Sequence, residues 1–128
     1  MYYCCGITEK GVMPHNEDAL LIGGNVLTSG SIQSHMDAPF IIAVSDGVSG
    51  ENSGEIASKM CLDKVAEIGA FRKDSLISAL MNIHKALTEY GKENSEDQNM
   101  QATLCGIAVD EDGTVTAFNV GDSRLYRF

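Results

Sequence analysis

The stretch FIIAVSDG, residues 40–47, constrains the fold more than any other part of the sequence. Five apolar residues and a serine follow one another without a charge and end at Asp46-Gly47, a pair that favours a turn. A short, continuous apolar run of this kind predicts a strand that is buried on both faces. The segments on either side must therefore supply the layers that bury it.

The segments before this run predict further strands. Residues 2–8 and 19–28 are short apolar runs rich in strand-forming residue types, and Gly23-Gly24 marks a turn or bulge within the second run. After Ser53 the pattern changes, because apolar side chains recur at helical spacing as far as Gly69, where a C-cap glycine belongs. This spacing predicts a first helix.

A second helix is predicted from an N-cap at Asp74 to Gly91, since its apolar residues advance by alternating steps of four and three. A polar loop over 92–101 follows. The next two apolar runs flank Glu111-Asp112-Gly113, which is a strong hairpin signal, and residues 124–128 predict one more strand. Strands, two helices and strands again indicate an α+β fold in which the helices cover one face of a largely antiparallel sheet.

Length and composition limit the classes of function. The 128 residues contain no repeat and no linker-like tract, so we expect one domain, or one piece of a domain, over residues 1–128. A net charge of -9, from 18 acidic and 9 basic residues, argues against nucleic-acid or anionic-membrane partners. Without a long apolar run or a basic start, we expect a cytoplasmic protein. The four cysteines show no zinc-ligand spacing and are expected to be reduced thiols.

Acidic residues stand where two predicted strands begin and end. Asn16-Glu17-Asp18 directly precedes the run at 19–22, and Asp46-Gly47 directly follows the run at 40–45. If these two strands pair in antiparallel fashion, Asp18 and Asp46 meet, and two carboxylates so close must share a proton or a cation. Magnesium and manganese both prefer such oxygen ligands. Taken alone, each of these short segments is more often a simple turn.

Five segments in this order carry a resemblance to a known family. They are NEDA at 16–19, VSDGVSG at 44–50, SGEIAS at 53–58, MQATL at 100–104 and NVGDSRLY at 119–126. Together they resemble the successive N-terminal motifs of the PP2C (PPM) family of metal-dependent serine/threonine protein phosphatases. The resemblance implies a layered α/β/β/α sandwich of antiparallel sheets flanked by helices, present here only in part.

The resemblance also implies a centre of two Mn²⁺ or Mg²⁺ ions and a phosphoprotein substrate. Asp46 would bridge both ions, Gly47 would give its carbonyl oxygen to one of them, and Asp18 and Glu17 would hold the ions or their waters. Asp46 and Asp18 are thereby the expected catalytic residues. In such a centre, a water shared by the two ions attacks the phosphorus of phosphoserine or phosphothreonine in line.

Three departures from the family pattern bear on activity. Met13 stands where many members carry a phosphate-binding arginine, and Ser49 replaces a glycine. The sequence also ends at Phe128, before the segments in which members supply two further metal-binding aspartates. We therefore expect an incomplete metal site, little or no phosphatase activity from this chain alone, and self-association through an unpaired C-terminal strand edge.

Two other functions are open to the same residues. A degenerate phosphatase domain could serve as a binding module without turnover, although the retained acidic residues argue against it. A hydrolase with Ser123 as nucleophile would need a histidine general base downstream, and none follows. Asp122 and Arg124 are expected to fix a strand end, and His15, next to the acidic motif, is expected at the surface rather than in proton transfer.

Overall fold

The computed structural model describes residues 1–48, 53–94 and 99–128. Over these ranges the chain forms eight strands and two helices in the following order: β1 (Tyr2–Thr8), β2 (Asp18–Ile22), β3 (Asn25–Leu27), β4 (Gly30–Met36), β5 (Phe40–Val48), α1 (Gly54–Ala66), α2 (Lys73–Glu93), β6 (Gln101–Ala102), β7 (Leu104–Val109) and β8 (Val115–Val120). The predicted sequence of strands, two helices and strands is confirmed, and the fold is α+β. No helix in the described ranges is long and apolar enough to cross a membrane.

The strands form one large and one small antiparallel sheet. The main sheet has the order β3-β2-β5-β7-β8, and the short β6 also pairs with β5. The small sheet consists of β1 and β4. The strand predicted at 40–45 thus lies in the centre of the main sheet and extends to Val48.

The two faces of the main sheet are covered by different elements. On one face, here called the helix face, Ile41 and Ala43 share a core with residues of α1 and α2. On the other face, the hairpin face, Leu20 and Phe40 pack with Met36 of β4. Successive strand residues alternate between these faces because their side chains point in opposite directions.

Burial on both faces is confirmed only for the first part of β5. Phe40, Ile41 and Ala43 are buried, but Val44 on the hairpin face is 47% exposed. The two-stranded sheet does not extend over the whole hairpin face, and a groove of about 740 Å³ remains beside it, lined largely by apolar residues of β2, β5, β7 and β8. The run at 40–45 is therefore apolar throughout, although in the described residues its hairpin face is only partly covered.

The predicted helix ends need correction. The N-cap of α2 is Arg72 rather than Asp74, which lies in the first turn, where a negative charge interacts favourably with the helix dipole. Gly91 does not end this helix, which continues to Glu93 and is closed by a hydrogen bond from the Asn94 side chain to the Tyr90 carbonyl oxygen (2.9 Å). The first helix is capped by Glu67, before the predicted Gly69.

Both predicted turns between strands are formed. Gly23 and Gly24 adopt positive φ angles of 59° and 78° between β2 and β3. Between β7 and β8, Gly113 has a φ angle of 82°, and the Asp112 carboxylate accepts a hydrogen bond from the Thr114 N–H (2.8 Å). Positive φ is sterically open to glycine, which explains why these positions signalled turns.

One strand was missed and one was wrongly predicted. Only Ile32 and Met36 give β4 an apolar pattern, so it was not recognised, although it pairs with β1 along its whole length. Residues 124–128 form no strand, and none of the described strands pairs with them. Apolar residue types alone do not make a strand when no neighbour accepts its hydrogen bonds.

Substituting Gly106 by alanine should destabilise the sheet. A Cβ at this position in β7 would overlap the Ile42 carbonyl oxygen and lie 2.6 Å from Cζ of Phe118. Because backbone and a packed ring cannot move aside cheaply, we expect Gly106→Ala to lower the free energy of unfolding by about 2 kcal/mol. Urea unfolding measures this. Gly69→Ala, which meets open space, is the control and should change stability by less than about 0.5 kcal/mol.

Candidate functional site

Two carboxylates meet at one end of the main sheet. Asp18, the first residue of β2, lies directly opposite Asp46 of β5 in the antiparallel register. Both side chains point to the hairpin face, since Asp18 shares the direction of Leu20 and Asp46 that of Val44. The sequence-based expectation that these two residues meet agrees with this register, while their role as metal ligands stays a prediction.

The electrostatics of this pair are those of crowded anions. Partial burial raises the pKa of Asp46 above its ordinary value. The Asp18 carboxylate raises this pKa further, by its charge and by a side-chain hydrogen bond between the two carboxyl groups, and Asp122 adds a smaller contribution of the same sign. The site therefore favours whatever neutralises it, a shared proton or a bound cation.

Asn16 fixes the start of β2. Its side-chain amide donates hydrogen bonds to the Thr8 hydroxyl and to the Thr28 carbonyl oxygen, both at 2.8 Å. Its Oδ1 atom accepts a hydrogen bond from the Asp18 N–H at 3.1 Å. Asn16 thus ties the backbone of Asp18 to two neighbouring segments of the chain.

Glu17 directly precedes β2 and lies beside the start of α1. Its side chain lies against Gly54 at the start of α1, where an added Cβ would come within 2.9 Å of the Glu17 carboxyl carbon. The Glu17 carbonyl oxygen accepts a hydrogen bond from the Gly47 N–H at 2.9 Å. Of the predicted ligands, the structure therefore brings Asp18 and Asp46 together and places the Glu17 side chain against the start of α1.

Gly47 is in direct backbone contact with the start of α1. A Cβ on Gly47 would fall on the carbonyl group of Gly54, and a Cβ on Gly54 would lie 2.8 Å from the Gly47 carbonyl oxygen. Neither position can carry a side chain without moving the helix from the strand. The role of the Gly47 carbonyl as a metal ligand stays a prediction. Ser49 and Gly50, the rest of this motif, lie outside the described residues.

Thr103 holds the backbone of Asp46. The Thr103 N–H donates to the Asp46 carbonyl oxygen (2.8 Å), and the Thr103 Oγ1 accepts from the Asp46 N–H (3.0 Å). The neighbouring Ser45 hydroxyl donates to the Thr103 carbonyl oxygen (2.6 Å). Both polar backbone groups of the central aspartate are therefore satisfied by one residue, which lies between β6 and β7.

The GDSR segment, residues 121–124, joins the same cluster. The Ser123 hydroxyl is hydrogen-bonded to the Thr103 hydroxyl (2.8 Å), and the Ser123 carbonyl oxygen accepts from the Asn119 side chain (2.8 Å). Asp18, Asp46 and Ser123 line a cavity of about 210 Å³. The charge of Asp122 also contributes to the raised pKa of Asp46, after burial and Asp18, while its expected part in fixing a strand end stays a prediction.

Other predicted residues lie away from this cavity. His15 is exposed and lines a separate groove with Lys10 and Lys59. The Arg124 side chain donates to the Tyr126 hydroxyl at 3.4 Å on the exposed surface. Met13, at the position of the family's phosphate-binding arginine, is 59% exposed.

Sequence reasoning did not identify Thr103 or Thr8 as site residues, and it considered Ser123 only as a nucleophile. The available signal was the threonine within the MQATL segment at 100–104, which resembles a family motif. Ser123 bonds to Thr103, and no histidine lines its cavity among the described residues. The nucleophile alternative therefore gains no support.

The donor set fits part of a hard-cation site. Two opposed carboxylates supply the oxygen ligands that Mg²⁺ and Mn²⁺ prefer, and the cavity beside them also exposes hydroxyl-bearing residues. Across the described ranges, no group of three acidic, histidine or cysteine side chains is close enough to hold a metal ion. A cation held here would thus need ligands beyond Asp18 and Asp46.

Comparisons with known proteins place this geometry in context. The chain matches no protein-family model. It is 24% identical to the serine/threonine phosphatase stp of Listeria innocua and to that of Listeria monocytogenes, over 93% of this chain and 47% of each relative. Among solved structures, it is similar to the Mycobacterium tuberculosis serine/threonine phosphatase PstP/Ppp, with a TM-score of 0.73, 22% identity, and coverage of 96% of this chain and 48% of that one.

A second solved structure, of a bacterial serine phosphatase bearing an R161K mutation, gives a TM-score of 0.66 at 26% identity, again with 96% of this chain and 48% of that chain covered. The resemblance to PP2C-type serine/threonine phosphatases, inferred from the five motifs, is confirmed by these relatives. The chain spans about half the length of the relatives it matches.

Removing one charge of the pair should stabilise the metal-free protein. Like charges directly opposite each other in a sheet are destabilising, so Asp18→Asn should raise the free energy of unfolding by about 0.5 kcal/mol in the presence of a chelator. Thermal or urea unfolding measures the change. Glu89→Gln, which removes an exposed charge from α2, should leave stability unchanged. A destabilised Asp18→Asn variant would show that the pair is not repulsive.

Proposed function

We propose that residues 1–128 form the N-terminal part of a single PP2C-like domain, which hydrolyses phosphoserine and phosphothreonine in proteins with the help of Mn²⁺ or Mg²⁺. The observation that carries the proposal is the pairing of Asp18 with Asp46 at an open sheet end. The similarity to serine/threonine phosphatases over 93% of the chain supports it.

In this proposal the protein supplies fixed oxygen ligands. Asp46 and Asp18 present their carboxylates to the cavity, and the backbones of both are held by side chains, of Thr103 and Asn16 respectively. Divalent cations held by these residues would lower the pKa of a bound water to near neutral and would offset the charge of the phosphoryl group. The fixed backbones keep the carboxylates in place when the repulsion between them changes.

Glu17 and Gly47 are proposed to act at the edge of this centre. The Gly47 carbonyl would be a ligand, and the Glu17 carboxylate, beside the start of α1, would hold a metal-bound water. Their backbone hydrogen bond of 2.9 Å keeps the two in a fixed relation. Manganese and magnesium accept the same oxygen ligands, so this donor set suits either ion.

The second half of such a domain would have to complete the site. The relatives are about twice as long as this chain, and the described residues bring together only two of the ligand side chains. We therefore propose that further ligands come from a part of the domain that residues 1–128 do not contain, and that these residues alone turn over substrate weakly or not at all.

The proposal predicts weak Mn²⁺ binding without efficient turnover. Calorimetric titration of the 128-residue chain with Mn²⁺ should show binding that is lost in Asp46→Asn and retained in Asp63→Asn, an exposed acid of α1. Hydrolysis of a small aryl phosphate in excess Mn²⁺ should be at or near the detection limit. Turnover that disappears in Asp46→Asn and with chelator would show a complete site; absence of Mn²⁺ binding would contradict the metal role of the pair.

A binding module without turnover is the second candidate, and Met13 favours it. An exposed thioether in place of a guanidinium removes a bidentate phosphate contact. Binding of a protein partner that is indifferent to Asp46→Asn would support this candidate, whereas a phosphatase needs the aspartate.

Self-association is also proposed, but through a different edge from the one expected. Since residues 124–128 form no strand, the exposed edge of the main sheet on this side is β8. An open edge offers unpaired hydrogen-bonding groups to a second copy.

This edge can be tested by sedimentation. The mass of the chain should rise with concentration, and Val120→Lys, which puts a charge at the end of β8, should reduce the rise. Ile77→Lys, at a comparably exposed apolar position on α2, is the matched control. A monomer at every concentration would exclude self-association.

A further inference from the structure

Thr103 occupies a break in the hydrogen-bonding ladder next to β5. The ladder continues on either side, with Val44 opposite Cys105 and Gly47 opposite Ala102. Between these pairs, the Asp46 N–H would ordinarily find a backbone carbonyl, but it donates to the Thr103 hydroxyl at 3.0 Å instead. A side chain has therefore replaced a main-chain acceptor at the residue that carries the central carboxylate.

The Thr103 side chain also contacts the segment that contains Asp122. A Cβ added to Gly121, whose φ is +106°, would lie 2.9 Å from the Thr103 methyl carbon, so this glycine packs closely on Thr103. Two residues further on, the Ser123 hydroxyl bonds to the Thr103 hydroxyl at 2.8 Å. Thr103 is 8% exposed, and its hydroxyl is thus shared between β5 and residues 121–123 in a largely dry environment.

We propose that Thr103 is a positioning residue, whose hydroxyl sets the Asp46 carboxylate relative to Asp18 and to the segment 121–123. It does not touch the substrate itself. The Thr103 side chain makes two kinds of contact: its hydroxyl is hydrogen-bonded to the Asp46 N–H and the Ser123 hydroxyl, and its methyl group packs against Gly121. The expected effect of Thr103 on cation binding rests on the proposed function, whereas its effect on the Asp46 backbone does not.

The first test is independent of metal. Thr103→Val keeps the shape of the side chain and removes the hydroxyl, which leaves the Asp46 N–H without its acceptor. Amide hydrogen exchange, followed by NMR in the presence of chelator, should be about tenfold faster at Asp46, and the resonance of Ser123 should shift. Thr103→Ser, which keeps the hydroxyl, should restore slow exchange. Thr88→Val, which removes a hydroxyl bonded to the His84 carbonyl oxygen in α2, is the matched control.

The second test uses Mn²⁺ alone. Titration should show about tenfold weaker binding by Thr103→Val than by the native chain, with Thr103→Ser close to native, as expected for loss of one hydrogen bond that orients a ligand. If the native chain does not bind Mn²⁺, the proposed metal function fails while the exchange result still decides the role of Thr103. Should Thr103→Val not fold, Ser123→Ala carries the test and should shift the Asp46 amide resonance.

The outcomes that would overturn the proposal are specific. Unchanged Asp46 exchange in a folded Thr103→Val variant would show that the hydroxyl does not hold this backbone. Equal damage in Thr103→Ser would assign the effect to packing of the methyl group. An unmoved Asp46 resonance in Ser123→Ala would separate residues 121–123 from the aspartate.

Discussion

The antiparallel pairing of β2 with β5 is the constraint on which the rest of the site depends. It sets Asp18 opposite Asp46, and the two backbones cannot move apart without breaking the ladder that also aligns the buried leucines of β2. The repulsion is therefore maintained by the fold, and burial of apolar side chains on both faces of the sheet provides the free energy that opposes it. Asn16 and Thr103 each fix one of these two backbones.

This arrangement explains why so many polar residues of the site serve the main chain. The Asn16 and Thr103 side chains accept hydrogen bonds from the backbone N–H groups of Asp18 and Asp46, and the Ser45 hydroxyl donates to the Thr103 carbonyl oxygen. Ligands that repel each other need rigid supports, since flexible side chains would separate them in the absence of a cation. The cluster therefore consists of a small charged centre and a larger neutral frame.

The sequence allowed the central strand, the hairpin of β7 and β8, the turn at Gly23-Gly24 and both helices to be predicted, because each follows from a local pattern of apolar spacing or glycine. The meeting of Asp18 and Asp46 could also be foreseen, since it needs only one pairing between two recognisable strands. Thr103 could not be found in this way. Its bond to Asp46 spans 57 residues and depends on the exact register of β5 with two other strands. β4 was missed because pairing with β1, rather than its own composition, makes it a strand. Residues 124–128 were wrongly assigned as a strand because their composition favours one but no described strand pairs with them.

The contact between Gly47 and Gly54 has a mechanical consequence. Where two elements touch through side chains, a small shift of one can be absorbed by a change of rotamer. Here backbone meets backbone, so a displacement of α1 cannot be taken up locally and must be passed to the peptide of Gly47, one residue from the Asp46 carboxylate. A force that pressed α1 toward the sheet would therefore act on the strand beside the carboxylates.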